Sequence, residues 1–381
     1  MATISGLKNI LFKYKKQSHP LAEDLRSSPS SLCFFNTSKN WGGGEKWTFT
    51  AASGMKKRGY PIIVVAYRGS ELFNLSQQAG LNVEGLKMRS AGFIDPFMIL
   101  HIRRIYKKYN VRAVFLNLSI DLKAGGLVAA MCNMPKIIYR RGLAKPIRRS
   151  WMNRYLLAKV VTDIIATSED TKRGILQNFP QLPDPGKIRV IYNGVELPAD
   201  CGQFNENRMI AGSAGRISSE KGFLLLIGLG SLLRKHNIPF EIDLAGGGYQ
   251  LEHIKNEVKK AGLASHFRFR GFIKNMDEFY SSVNLLVLTS GKEGFANVLL
   301  EAMSYGKPVI AFDIGSPSEL VVEGKNGFIV EKNNLEAMAA RIIELYNDHG
   351  KLKRMGENAR QTITKDFSLE KHLAAVEEII R

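Results

Sequence analysis

The chain has 381 residues, 45% of them apolar, with a formal net charge of +19 and three cysteines. That length exceeds what one hydrophobic core usually supports, and the apolar share is ordinary for a globular protein, so two domains are expected and a disordered chain is excluded. No apolar run reaches the ~18 residues of a membrane-spanning helix. The N-terminal lysines are not followed by a long apolar region and cleavage site, so the sequence predicts a cytoplasmic protein.

Cys33, Cys132 and Cys201 are odd in number and far apart, without a Cys-x-x-Cys pair. They read as reduced structural thiols rather than a disulfide frame or a zinc site. The charge is divided unequally: residues 1–195 hold 31 Lys and Arg against 11 Asp and Glu, whereas 196–381 hold 23 against 24. The first half therefore carries +20 and the second −1. A basic face concentrates anionic substrates and surfaces around it, an anionic membrane among them. Nucleic acid is not the expected partner, because the basic residues show neither zinc-finger spacing nor an aromatic-basic strand motif.

Along the chain, Leu7, Ile10, Leu11 and Tyr14 fall at helical spacing among lysines within residues 1–30. This suits either an amphipathic basic helix at a surface or a helix packed on the first domain. Short runs rich in Val, Ile and Phe then alternate with amphipathic stretches, the signature of parallel strands joined by crossover helices. Strands are expected at 32–35, 62–67, 113–116, 136–139, 163–166 and 188–191, with helices such as 48–58 and 97–109 between them. A polar stretch with Asn193-Gly194, Pro198 and Gly202 reads as a linker. The pattern then repeats, with strands at 209–214, 240–245, 267–270, 285–288, 309–312 and 328–330. The fold class is therefore α/β, with two Rossmann-like doubly wound domains facing across a cleft.

Three segments at strand ends carry candidate chemistry. In Ser290-Gly-Lys-Glu-Gly-Phe-Ala-Asn-Val-Leu-Leu-Glu301, Glu293 falls on a turn and Glu301 inside the following helix. Gly294 permits close backbone approach, and the amides of Phe295, Ala296 and Asn297 form the positive end of that helix, suited to phosphate or sugar oxygens. Carboxylates accept from adjacent hydroxyls, which suits Glu293 to a sugar ring and Glu301 to a ribose. In Ala214-Gly-Arg-Ile-Ser-Ser-Glu-Lys-Gly222, Arg216 and Lys221 are five residues apart and can neutralise a diphosphate. Trp41-Gly-Gly-Gly-Glu-Lys46 resembles a phosphate-cradling turn but lacks the Gly-x-Gly-x-x-Gly spacing and the Gly-Lys-Ser/Thr ending.

Together these segments resemble the family-4 glycosyltransferases of the GT-B fold, over roughly residues 32–381. The resemblance rests on Gly42-Gly43, Tyr192-Asn-Gly-Val195, Gly215-Arg216 with Lys221-Gly222, Gly271-Phe272, and Glu293 with Glu301 at the E-x7-E spacing. Glu301-Ala-Met303 and Gly306-Lys-Pro308 complete it. It implies a retaining, metal-independent transfer of a hexose-type sugar from a UDP- or GDP-type donor to a glycan or glycolipid, in lipopolysaccharide or cell-surface polysaccharide synthesis, with no cofactor. The implied division is a basic extension at 1–30, an acceptor-binding domain at 31–195, a linker at 196–207, a donor-binding domain at 208–365, and a C-terminal helix at 366–381 packed back on the first domain.

Carried over by residue, Glu293 contacts the donor sugar, Glu301 the ribose, and Arg216 with Lys221 the diphosphate. The amides of Phe295 to Asn297 hold sugar and phosphates, and Gly42 and Gly43 let donor and acceptor meet. One departure stands out: where many members place a histidine, this chain reads Tyr139-Arg-Arg-Gly142, so Arg141 takes the catalytic position. An arginine donates hydrogen bonds there but is no base near neutral pH. The competing readings are a non-catalytic binder of a nucleotide sugar or anionic polymer, and a glycosidase using Glu293 and Glu301. The glycosidase reading does not call for the cations and helix end that a diphosphate needs. No Asp-x-Asp motif is present, and Glu241-Ile-Asp243, the nearest approach, lies inside an apolar strand.

Overall fold

The computed structural model describes residues 30–88, 95–142, 146–180, 184–273 and 275–381. The basic extension expected at 1–30 lies outside them except for Ser30.

Among the described residues, thirteen strands build two all-parallel sheets. The first comprises β1 (Ser31–Asn36), β2 (Ile62–Tyr67), β3 (Asn82–Leu86), β4 (Val111–Leu116), β5 (Lys136–Arg141), β6 (Asp163–Ala166) and β7 (Ile188–Val190), in the order β3-β2-β1-β4-β5-β6-β7. The second comprises β8 (Met209–Ala214), β9 (Phe240–Ala245), β10 (Phe267–Gly271), β11 (Leu285–Leu288), β12 (Val309–Phe312) and β13 (Gly327–Val330), in the order β10-β9-β8-β11-β12-β13. Each sheet reverses direction beside its first strand, between β1 and β4 and between β8 and β11. Ligands of such folds bind in the crevice at the carboxyl ends of the strands where the order reverses.

Burial follows the two-residue period of a strand. Cys33 and Phe35 of β1 enter one core with Ile63, Val65 and Val114, while Leu32 and Phe34 enter another with Ile62, Val64 and Phe115. Both faces of the sheet are covered, which is why these strands read as unbroken apolar runs. Each such side chain contributes about 1.5–3 kcal/mol on burial. The second sheet has the same two-sided arrangement.

Two elements differ from expectation. Strand β3 was not anticipated, because Asn82-Val-Glu-Gly-Leu86 is an edge strand with partly exposed residues and a charge, features that protect edges and erase the apolar pattern. The first helix, Gly43–Lys57, begins five residues before the expected 48, with Gly42 as its extended N-terminal flank. Counting apolar residues missed its polar first turn.

The chain leaves the first sheet through Val195 and comes back beside it. The Val195 amide donates to Phe367 O (3.1 Å) and the Leu369 amide to Val195 O (2.9 Å). Gly194 permits this crossing, because a Cβ there would lie 2.5 Å from the His372 Cβ. The last helix, Leu369–Ile380, then packs on the first domain, placing Leu373, Val376, Ile379 and Ile380 in the core of Leu32 and Phe34. Arg58 bridges Glu370 and Glu377 of that helix, and the Tyr60 hydroxyl donates to Glu377 (2.9 Å).

Candidate active site

The loops after β8 and β11 are pressed together backbone to backbone. Gly222 has φ +66°, and a Cβ on it would lie 2.1 Å from Thr289 O. The Thr289 hydroxyl donates to Gly222 O (3.1 Å) and the Gly291 amide to Glu220 O (3.0 Å). This packing delivers Lys221 to Glu293, whose Oε1 lies 2.6 Å from Nζ. Glu293 is only 8% exposed, so the pair is worth more than a surface ion pair. Arg216 is exposed on the same loop. Gly215, with φ +146°, packs so closely on the loop after β9 that a Cβ at Gly246 would lie 1.9 Å from its carbonyl oxygen.

The helix Asn297–Ser304 starts at Ala296 without a side-chain cap. Its first amide is not free as expected: Asn297 N–H donates to Phe295 O (3.0 Å) in a tight turn. The Gly294 carbonyl accepts from three hydroxyls of the first domain, Ser168 (2.8 Å), Thr171 (3.2 Å) and Thr167 (3.5 Å). Phe295 packs against Tyr192 with ring centroids 5.5 Å apart. Glu301 uses both oxygens: Oε1 meets Lys46 Nζ of the first domain (2.7 Å) and Oε2 accepts from the Tyr280 hydroxyl (2.6 Å). Burial and Glu301 together push the Tyr280 phenol well up from its ordinary pKa.

Gly43 brings the first domain against this helix, since a Cβ there would lie 3.0 Å from Asn297 Nδ2. Asn297 Oδ1 in turn accepts from Asn193 Nδ2 (2.6 Å), and Asn193 Oδ1 accepts from Arg140 Nη2 (3.0 Å). Arg140 lies over Trp47 at 4.3 Å and donates to Asn117 Oδ1 (3.3 Å), while its buried Nε has no hydrogen-bond partner among the described residues. Burial lowers its pKa to about 9. Arg141, the expected catalytic residue, is also buried, with Nη1 3.4 Å from the Tyr139 hydroxyl. Sequence reasoning missed Arg140, although the Arg-Arg pair at a strand end was the available signal.

A second link joins the domains. Glu319 accepts the amides of Glu169 and Asp170 (2.7 Å each), capping the helix Glu169–Asn178 from the other domain. It also accepts from the Tyr192 hydroxyl (3.0 Å), whose pKa burial and Glu319 raise. Beside this link lies an interdomain cleft of ≈ 550 Å³, whose lining includes Arg141, Asp170, Arg173, Lys292, Asp313 and Lys332. Glu293 and Glu301 do not line it.

The model of the Glycosyltransferase Family 4 matches residues 41–198 and that of Glycosyl transferases group 1 matches 201–362. An uncharacterized glycosyltransferase of Methanocaldococcus jannaschii is 32% identical over 264 residues, spanning 67% of this chain and 70% of that protein. The chain belongs to the family-4 glycosyltransferases. This glycosyltransferase is also 28% identical to a capsular polysaccharide biosynthesis glycosyltransferase, CapM, of Staphylococcus aureus, over 82% of this chain and 88% of that one. Its fold matches that of Anabaena HepE, whose structure was determined with UDP and glucose, at a TM-score of 0.79 and 21% identity over 92% of this chain and 98% of that one.

In the glycosyltransferase, the carboxylates nearest to an Asp-x-Asp pattern are occupied by arginines. Asp243 accepts from Arg270 Nε (2.8 Å) and pairs with its Nη2 (2.7 Å), and Glu241 pairs with Arg208 (3.0 Å). Among the described residues, no group of three or more His, Cys, Asp or Glu is placed to hold a metal ion. Nor is any described helix long and apolar enough to cross a membrane.

Proposed function

We propose that this glycosyltransferase moves a hexose-type sugar, with retention of anomeric configuration, from a nucleoside-diphosphate donor to a glycan or glycolipid acceptor. The observation that carries this reading is the Lys221–Glu293 pair, held by glycine-packed loops beside the uncapped start of helix Asn297–Ser304. A diphosphate leaving group is stabilised there by the positive charges of Lys221 and Arg216 and by the positive helix end. Glu293 accepts from donor-sugar hydroxyls and Glu301 from the ribose, while Gly42 and Gly43 leave room where the two substrates meet. Amides along Gly294, Phe295 and Ala296 hold sugar and phosphate oxygens; the Asn297 amide is engaged locally, so Asn297 contributes through its position in the turn.

In the reaction the bond from the anomeric carbon to the diphosphate oxygen breaks, a bond to the acceptor oxygen forms, and the acceptor hydroxyl proton passes to the departing diphosphate oxygen, so that the nucleoside diphosphate leaves carrying it. Arg141 serves by donating hydrogen bonds rather than as a base. UDP is the favoured nucleotide because HepE is described with UDP and glucose, with GDP as the second candidate. The CapM likeness and the +20 first half favour an anionic acceptor in lipopolysaccharide or other cell-surface polysaccharide synthesis, made at the inner face of the membrane. Exposed Phe97 and Leu100 beside exposed Arg103 and Arg104, on the helix Pro96–Lys108, support contact with an anionic surface.

A thermal-shift screen against UDP-, GDP-, ADP- and CMP-sugars tests the donor assignment. A UDP- or GDP-sugar is expected to raise the melting temperature in wild type and much less in Glu293→Ala. Stabilisation by none of the four overturns the reading.

A further inference from the structure

We infer that the interdomain cleft is a subsite for an anionic group, a phosphate or carboxylate carried on the acceptor sugar, gripped from one domain by Arg173 and Arg149 and from the other by Lys292 and Lys332. The inference rests on the acceptor reading above and gives it a location and a chemistry.

The cleft, ≈ 550 Å³, is large enough for a sugar with a charged substituent. Five cations line it, Arg141, Arg149, Arg173, Lys292 and Lys332, against two carboxylates, Asp170 and Asp313. The carboxylates do little to neutralise them. Asp313 accepts from the Ser318 hydroxyl (2.9 Å), and Asp170 reaches Arg173 only at 3.5 Å. Asp170 also packs against Gly315, where a Cβ would lie 2.7 Å from its Cγ.

Arg149 is oriented rather than discharged. Arg149 donates from Nε to Asn178 Oδ1 (2.9 Å) and from Nη2 to Gln177 O (3.0 Å), both neutral acceptors. Lys292 and Lys332 form no ion pair among the described residues. Lys332 extends along the loop that carries Glu293, since its Nζ is 3.9 Å from where a Gly291 Cβ would sit. A net excess of three cations between low-dielectric walls attracts anions strongly and does nothing for a neutral hexose. The diphosphate is not that anion, because Arg216 and Lys221 lie outside the lining.

The test holds the full chain at saturating UDP and titrates glucose 6-phosphate, glucuronate, glucose and inorganic phosphate by calorimetry. Glucose 6-phosphate or glucuronate is expected to bind at least tenfold more tightly than glucose. The exposed variants Arg173→Gln and Lys332→Gln are each expected to weaken that binding about tenfold and leave UDP affinity unchanged. Glucose binding as tightly as its charged analogues, no binding of either charged sugar, or variants that bind like wild type would each overturn the subsite. Inorganic phosphate binding as tightly as glucose 6-phosphate would overturn its assignment to a sugar-borne group. Failure of UDP itself to bind would instead count against the donor reading, so the two failures are distinguishable.

Discussion

Lys221 Nζ and Glu293 Oε1 lie 2.6 Å apart although 72 residues separate them in the chain, because Gly222 lets the loop after β8 rest on Thr289. In the proposed function the pair joins a cation for the diphosphate to a carboxylate for the sugar. Lys221→Ala and Glu293→Gln are each expected to lower kcat/KM about 100-fold, about 2.7 kcal/mol of transition-state stabilisation, with the melting temperature lowered more in Lys221→Ala, which leaves the buried carboxylate unpaired. The double variant should lose less than the sum, as residues acting together do. Steady-state kinetics on the three proteins decides this, and wild-type rates in either single variant would dismiss the assignment.

Glu301, proposed to bind the ribose, poses a different question, since Lys46 already occupies one of its carboxylate oxygens. Lys46 is half exposed, so the pair itself adds little stability. Glu301→Ala should weaken UDP binding at least tenfold, whereas Lys46→Ala should leave it equal or tighter because the competitor is gone. Calorimetric titration of UDP separates the two, and equal weakening in both would show that Lys46 holds nucleotide directly.

Glu319 holds the domains together by capping a helix of the other one. Glu319→Ala uncaps two amides, a loss of about 1–2 kcal/mol by analogy with N-caps. The radius of gyration from small-angle scattering should rise and the linker at 196–207 should become easier to cleave. Unchanged scattering and cleavage would mean that the remaining contacts suffice.

His372 sets an acid limit. Its Nε2 lies 2.8 Å from Trp47 Nε1 and its Nδ1 2.6 Å from Tyr192 O, an arrangement that only the neutral Nδ1–H ring satisfies. Burial lowers its pKa from 6.5 to about 4. Between those values the unfolded chain binds the extra proton, so the stability due to this group is lost as pH falls from 6.5 toward 4. From pH 7.5 to 4.5, the advantage of wild type over His372→Gln in unfolding free energy should shrink by about 2–3 kcal/mol. A constant difference across that range would reject the account.

Much of this was readable in the sequence where local pattern and burial coincide. Ile62–Tyr67, Met209–Ala214 and Phe240–Ala245 match their apolar runs end to end because both faces are covered. The placement of Glu293 and Lys221 on loops after strands, and of Glu301 in the helix that follows, was visible because parallel folds end their strands in such loops. Asn193, Lys46 and Glu319 were not, because their partners Asn297, Glu301 and Glu169 lie 104, 255 and 150 residues away. No periodicity encodes contacts at those separations. The free amide expected at Asn297 failed for a local reason: the backbone turned on itself at Phe295.

The last helix has a consequence for how the protein is made. Leu32 and Phe34, near the start of the described chain, share a core with Ile379 and Ile380 at its end. During synthesis that side of the first domain's core therefore remains incomplete until the helix Leu369–Ile380 has been made. The second domain, whose core ends near Phe367, has its whole complement of side chains sooner. The half that is synthesised first is thus the last to be finished, and losing a handful of C-terminal residues would injure the N-terminal domain.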